Sequence, residues 1–111
     1  VRACFIGYRD IGDTPRFSII NFTSDIDKVK TYISGVNASG GCDYPEDVQG
    51  GLHEALKQKW TPGSKRQIFH IFDAPAHGYT GNGYGDDYPK GSPEGHDLEK
   101  QMRQFHEMGI E

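Results

Sequence analysis

Blocks of apolar and polar residues predict six secondary-structure elements along the chain. Residues 1–8 are almost continuously apolar, as in a strand buried on both faces, and residues 17–22 form a second strand-like run. The residues between them, 10–16, are rich in turn formers, so the two strands are expected to form a hairpin. The apolar run 67–73 has the composition of a central parallel strand.

Apolar residues at helical spacing predict three further elements. One helix is capped at Ser24 or Asp25 and runs to about Ser34, one runs from Pro45 to about Lys59, and one runs from Pro93 to Met108. The order strand, strand, helix, helix, strand, helix indicates a layered α/β fold. In such folds, polar loops gather at the carboxyl ends of the strands, where ligands bind.

Composition narrows the classes of partner. The net charge is −4 and no long run of Lys and Arg occurs, so a nucleic-acid partner is not expected. No apolar run approaches the ~18 residues that span a membrane. Two Cys without a CxxC pattern fit a reducing compartment, and we expect a cytoplasmic location. The chain begins inside a strand-like run and ends just after a helix, so we expect a piece of a longer protein.

Three acidic residues follow or face strand ends. Asp10 comes after the first strand, Asp43 leads into the second helix, and Asp73 ends the third strand. Taken one at a time, Asp10 is explained as a turn former and Asp43 as a helix cap. Asp73 ends an apolar strand, and burying its carboxylate without partners would be energetically unfavourable. Carboxylate oxygens suit Mg²⁺ and Mn²⁺, so we predict that the three carboxylates cluster at one edge of the sheet.

The loop that follows the third strand is unusually long, at roughly twenty residues. Its composition predicts that residues 78–92 are the most mobile internal segment, and its Tyr79, Tyr84 and Tyr88 are candidate contact residues. His77, at its start, is a candidate general base or metal ligand, although a lone histidine in a loop is more often neither.

The acidic positions lie in stretches that resemble the von Willebrand factor A-like family, and most closely the members attached to atypical alpha-kinases. The matching stretches cover nearly the whole chain in order; they are Gly7-Tyr8-Arg9-Asp10, Gly40 to Val48, His70 to Gly78, and Tyr88 to Pro93.

The resemblance implies a doubly wound, three-layer α/β sheet of the Rossmann-like type, with residues 1–111 forming a partial domain, incomplete at both ends. The family site holds Mg²⁺ or Mn²⁺, and a partner's carboxylate often completes the coordination. Asp73 matches the family aspartate that ends the fourth strand, and Asp43 stands where the family has threonine. The family's Asp-x-Ser-x-Ser motif is absent, because the chain begins after the strand that would carry it. Residues 1–8 and 67–73 would flank that strand, so we expect no ladder of hydrogen bonds between them.

Three functions are compatible with these residues. The first is a metal-ion-assisted protein-binding module that is not itself an enzyme, contacts its partner through an acidic side chain of that partner, and serves as a regulatory or targeting part of a larger, kinase-related protein. The second is a divalent-metal-dependent hydrolase that uses Asp10, Asp43, Asp73 and His77. The third is a scaffold fragment that binds no metal.

Overall fold

The computed structural model describes residues 1–81 and 85–111. Within them the elements are β1 (Ala3–Tyr8), β2 (Phe17–Thr23), α1 (Ile26–Ser34), α2 (Val48–Leu56) and α3 (Leu98–Glu107). In the part of the chain that is described, no helix is both long and apolar enough to cross a lipid bilayer. The architecture is a small α/β arrangement of a two-stranded sheet and three helices.

The hairpin predicted at the start of the chain is confirmed. β1 and β2 pair antiparallel, with Tyr8 opposite Phe17 next to the turn and Ala3 opposite Thr23 at the far end. β1 is nevertheless half-buried along its length, not buried on both faces as its apolarity predicts. Its second edge has no strand partner among the described residues.

The three predicted helices are present, but two of them begin later than their prolines indicate. α1 is capped by Asp25, as predicted. α2 begins at Val48 and not at Pro45, because Glu46 is held in a parallel bridge to Ala76 and cannot adopt helical geometry. α3 begins at Leu98 because extended backbone at Asp97 forms its cap.

The core lies between α2 and α3 and is small. Its buried apolar residues are Val48, Leu52, Ala76, Phe105 and Ile110. Tyr8 and Trp60 pack against this cluster from outside. Because few residues make up the core, each of them carries a large share of the apolar burial.

The strand predicted at residues 67–73 does not form. This segment has no strand partner among the described residues, and Phe69 and Ile71 are 84% and 88% exposed. A parallel bridge to Ile110 is made by Arg66, just before the segment. A groove of about 840 Å³ separates it from β1. The absence of a ladder between the two agrees with the expectation above, whereas the doubly wound sheet stays a prediction.

Gly51 is the point of closest approach between α2 and β1. A Cβ atom added there would lie 2.7 Å from Cδ1 of Tyr8 and 2.9 Å from its Cγ. Alanine normally stabilises a helix by about 1 kcal/mol relative to glycine, but Gly51→Ala is expected to destabilise the protein by roughly 1–3 kcal/mol, because the helix and the ring must separate. Urea unfolding measures the change, with Gly85→Ala as the control, since no atom lies within 4 Å of the Cβ added there. Increased stability of Gly51→Ala would refute the close approach.

Candidate metal centre

Three loops meet beyond the carboxyl end of β1, and backbone hydrogen bonds hold them together. The Asp47 N–H donates to the Arg9 carbonyl at 3.1 Å, and the Glu46 N–H donates to the Pro75 carbonyl at 2.9 Å. The segment before α2 is thereby clamped between the turn that follows β1 and residues 75–77. This clamp brings side chains that are far apart in the sequence to one point.

His77 lies at that point, between carboxylates on both sides of its ring. Its Nε2 is 2.6 Å from Oδ1 of Asp10, and its Nδ1 is 2.7 Å from Oδ1 of Asp86. Oδ2 of Asp43 lies 3.8 Å from the same Nδ1. One ligand atom each from Asp10, Asp43 and His77 falls within 4.8 Å of the others, so this triad can hold a metal ion.

The triad is almost completely shielded from solvent. The side chains of His77, Asp10 and Asp43 are 0%, 4% and 7% exposed. A neutral imidazole donates from only one nitrogen, yet both nitrogens of His77 face carboxylates. The cluster therefore requires either an added proton, on the ring or on a carboxyl group, or a cation.

The electrostatics of the triad agree with this requirement. Burial by itself lowers the pKa of His77, but the hydrogen bonds to Asp10 and Asp86 outweigh it, and the pKa is raised overall. Burial raises the pKa of Asp10, and the adjacent Asp43 carboxyl raises it further against the opposing effect of His77. Negative charge is thus crowded at this point and a bound cation would relieve it.

Two buried carboxylate oxygens beside the ring have no hydrogen-bond partner among the described residues, namely Oδ1 of Asp43 and Oε2 of Glu46. Burial raises the pKa of Glu46, and the charges of Asp10, Asp13 and Asp43 raise it further. Buried acceptors without donors are destabilising. A cation bound near the triad would supply the positive charge that these acceptors lack.

The segment at Asp86 closes over the ring. Oδ2 of Asp86 accepts from the Gly78 N–H at 2.8 Å, and its Oδ1 accepts from the Tyr88 N–H at 2.8 Å. Burial opposes ionisation of Asp86, but these bonds and the one from His77 leave its pKa below the ordinary value. The Asp87 N–H donates to Oδ2 of Asp43 at 2.7 Å. This segment therefore fixes two of the residues around the candidate site.

The tyrosines of the long loop differ in their surroundings. Tyr88 packs edge-on against His77, with ring centroids 5.0 Å apart, and Tyr79 is 57% exposed. Tyr84 lies outside the described residues, as do Asn82 and Gly83. The mobility expected for residues 78–92 stays a prediction.

Asp13 joins the turn after β1 to the Gly-rich loop. Its carboxylate accepts from the Asp10 N–H at 2.9 Å and from the Gly41 N–H at 3.0 Å. Gly40, at a φ of +93°, sits so close that an added Cβ would meet the Asp13 carboxylate at 2.3 Å. Glycine is required here both for this approach and for the left-handed backbone.

The structure unites two of the three predicted acidic residues and leaves the third apart. Asp10 and Asp43 belong to the triad, whereas Asp73 is exposed and is not a member of it. The pKa of the Tyr8 phenol is raised to about 12, mainly by burial. The negative charges of Glu46 and then Asp73 also contribute to this increase. A metal role for Asp73 stays a prediction.

Sequence reasoning underrated three residues of the site. In the sequence His77 is a lone histidine in a loop, and neither Glu46 nor Asp86 belongs to a recognisable site pattern. Asp86 follows His77 by nine residues in a Gly- and Tyr-rich loop, a spacing that matches no metal-binding motif. The available signal was the accumulation of acidic residues around the one histidine that follows a strand-like run.

Comparison with known proteins finds a relative of this chain. No protein-family model matches the chain, and no solved structure matches it. The chain is 36% identical over 107 residues to a protein described as alpha-protein kinase vwkA, from Dictyostelium discoideum. The matched region is 96% of this chain and 17% of the relative. The chain is therefore homologous to one region of that protein and spans only a small part of its length.

Proposed function

We propose that this chain is a cation-assisted protein-binding module of the von Willebrand factor A-like type, serving as a regulatory or targeting part of a larger protein related to alpha-kinases. The observation that carries the proposal is the buried triad of Asp10, Asp43 and His77. The similarity to a region of an alpha-protein kinase supports the setting.

The residues present fit a divalent cation. Two carboxylates and an imidazole are all common metal ligands, and their atoms lie close enough to share one ion. A bound cation would supply positive charge and would neutralise the crowded carboxylates. The protein's own residues would then hold the three loops in one arrangement.

That arrangement presents a surface and not a reaction chamber. Tyr44 and Tyr79, from two of the loops, are 47% and 57% exposed, and aromatic side chains of this kind are enriched at protein interfaces. Without a cation, the carboxylates of Asp10 and Asp43 beneath this face would oppose the approach of an acidic partner. With its charge offset, the face can accept an acidic side chain of a protein partner.

Burial of the His77 ring argues against the alternative that this chain is a hydrolase. A general base must come within hydrogen-bonding reach of the proton that it removes. The His77 ring is fully buried and both of its nitrogens contact carboxylates, so no free nitrogen faces a substrate. Binding explains the geometry better than catalysis does.

Capture of partners by the intact protein tests the proposal. The intact wild-type protein is expected to retain specific partners in the presence of divalent cations and to lose them on addition of a chelator. Asp43→Asn should reduce retention about tenfold or more, because loss of even an outer-shell partner of a metal ligand costs ~10–100-fold in affinity. Asp27→Asn, in the first turn of α1, is the matched control and should behave as the wild type. Retention that ignores both the chelator and Asp43→Asn would count against the proposal.

A further inference from the structure

The donor atoms at the triad are of two kinds, and this mixture has a consequence for which metal binds. Asp10 and Asp43 offer oxygen, but His77 offers an imidazole nitrogen. We infer that the site selects a borderline transition metal, represented by Zn²⁺, over Mg²⁺. The inference rests on the proposed function only in that a cation binds here.

The chemistry of the ligands supports this choice. Mg²⁺ takes oxygen ligands in near-ideal octahedral geometry and keeps several of its waters. Imidazole suits zinc and its neighbours, and Zn²⁺ accepts His nitrogen together with carboxylate oxygen in a four-coordinate shell. A site closed to solvent around His77, whose ring is 0% exposed, leaves little room for the waters of Mg²⁺. This donor set departs from the Mg²⁺ or Mn²⁺ site that the family resemblance implies.

An unsatisfied ligand atom gives independent support. Oδ1 of Asp43 has no hydrogen-bond partner among the described residues, although its side chain is only 7% exposed. The other oxygen of this carboxylate is already used, since it accepts from the Asp87 N–H. A bound cation would stabilise an acceptor buried in this way.

Asp86 completes the arrangement as a positioning residue. A histidine that binds a metal usually donates its second ring N–H to a carboxylate, which fixes the orientation of the ring. Nδ1 of His77 lies 2.7 Å from Asp86, and backbone N–H groups of Gly78 and Tyr88 hold that carboxylate in place. The position of the ring is therefore set before any metal arrives.

Competition titration of the intact protein against a chromophoric chelator tests the inference. Wild type is expected to bind Zn²⁺ at least ~100-fold more tightly than Mg²⁺. His77→Asp makes the donor set all oxygen, and should lower Zn²⁺ affinity and shift the preference towards Mg²⁺. Asp86→Asn should weaken Zn²⁺ binding ~10–100-fold with a smaller effect on Mg²⁺, a change in the ratio that general loosening of the structure would not produce. If His77→Asp does not fold, the Asp86→Asn variant is used to test the inference.

Two other histidines could bind zinc and serve as controls. His53 and His96 stack with ring centroids 4.2 Å apart, so His53→Gln identifies zinc bound at that pair. His106, exposed on α3, is the neutral control through His106→Gln. Nitrogen NMR of the histidine rings should show the Zn²⁺-induced shift at His77.

The results separate the inference from the proposed function. Equal affinity for the two metals, or zinc binding that persists in His77→Asp and disappears in His53→Gln, overturns the inference. Zinc selectivity at His77 without cation-dependent capture of partners overturns only the proposed function. Cation-dependent capture with a preference for Mg²⁺ overturns only the inference.

Discussion

Replacing Phe105 by alanine is expected to lower the free energy of unfolding by about 3–5 kcal/mol. The ring is 7% exposed and lies in the cluster between α2 and α3, which includes Val48 and Leu52. A large cavity in so small a core has few neighbours that can move into it, and that favours the upper part of the range. Urea or thermal unfolding, followed by circular dichroism, gives the change.

Met102 provides the control on the same helix. Its side chain is 49% exposed, so Met102→Ala should change stability by no more than about 0.5 kcal/mol. Similar losses in the two variants would mean that the packing of α3 against α2 does not hold the fold together.

Asp47→Ala is expected to destabilise the protein by roughly 3 kcal/mol, because the residue has two roles. Its Oδ1 accepts from the Gly50 N–H at 3.1 Å and caps α2, and its Oδ2 lies 2.6 Å from Arg16. The carboxylate is 0% exposed. Burial raises the pKa of Asp47 in spite of Arg16, so part of the stabilisation from the ion pair is already offset by desolvation. Arg16 keeps its contact with Glu94 in the variant, which holds the loss below that of an isolated buried pair.

Asp97 serves as the control for Asp47, because it caps a helix but forms no buried ion pair. It caps α3 in the same way, with its carboxylate accepting from the Lys100 N–H at 3.1 Å, but it is exposed. Asp97→Ala should therefore lose only the capping contribution of about 1 kcal/mol. If unfolding experiments gave equal losses for the two variants, the buried ion pair would contribute nothing to stability.

The hairpin and the first helix were predictable because their signals are local. Turn formers between two apolar runs specify the first, and Asp25 with apolar residues at helical spacing specifies the second. The start of α2 was missed because Glu46 makes a bridge to Ala76, thirty residues away. A proline at the start of a helix-like run carries no information about such a contact.

Residues 67–73 are a case in which the sequence predicts an element that the structure lacks. Their composition is that of a strand, and propensity alone predicts one, but a strand exists only where another backbone pairs with it. The candidate site shows the same limit. Asp10 could be chosen because it follows the first strand and Asp43 because it leads into the second helix, whereas the role of Asp86 depends on how one long loop folds back over His77.

Residues 67–73, which have no strand partner among the described residues, also affect how copies of this chain associate with one another. Phe69, Ile71 and Phe72 are mostly exposed on a backbone that has few internal partners, and β1 offers an open edge across the groove. Residues 67–73 of one molecule can therefore pair with the open edge of β1 in another. Pairing of this kind between exposed strands is how aggregation starts. We therefore expect this segment to limit the concentration at which the free chain stays monomeric, and a polar or charged residue in place of Phe69 or Ile71 to raise that concentration.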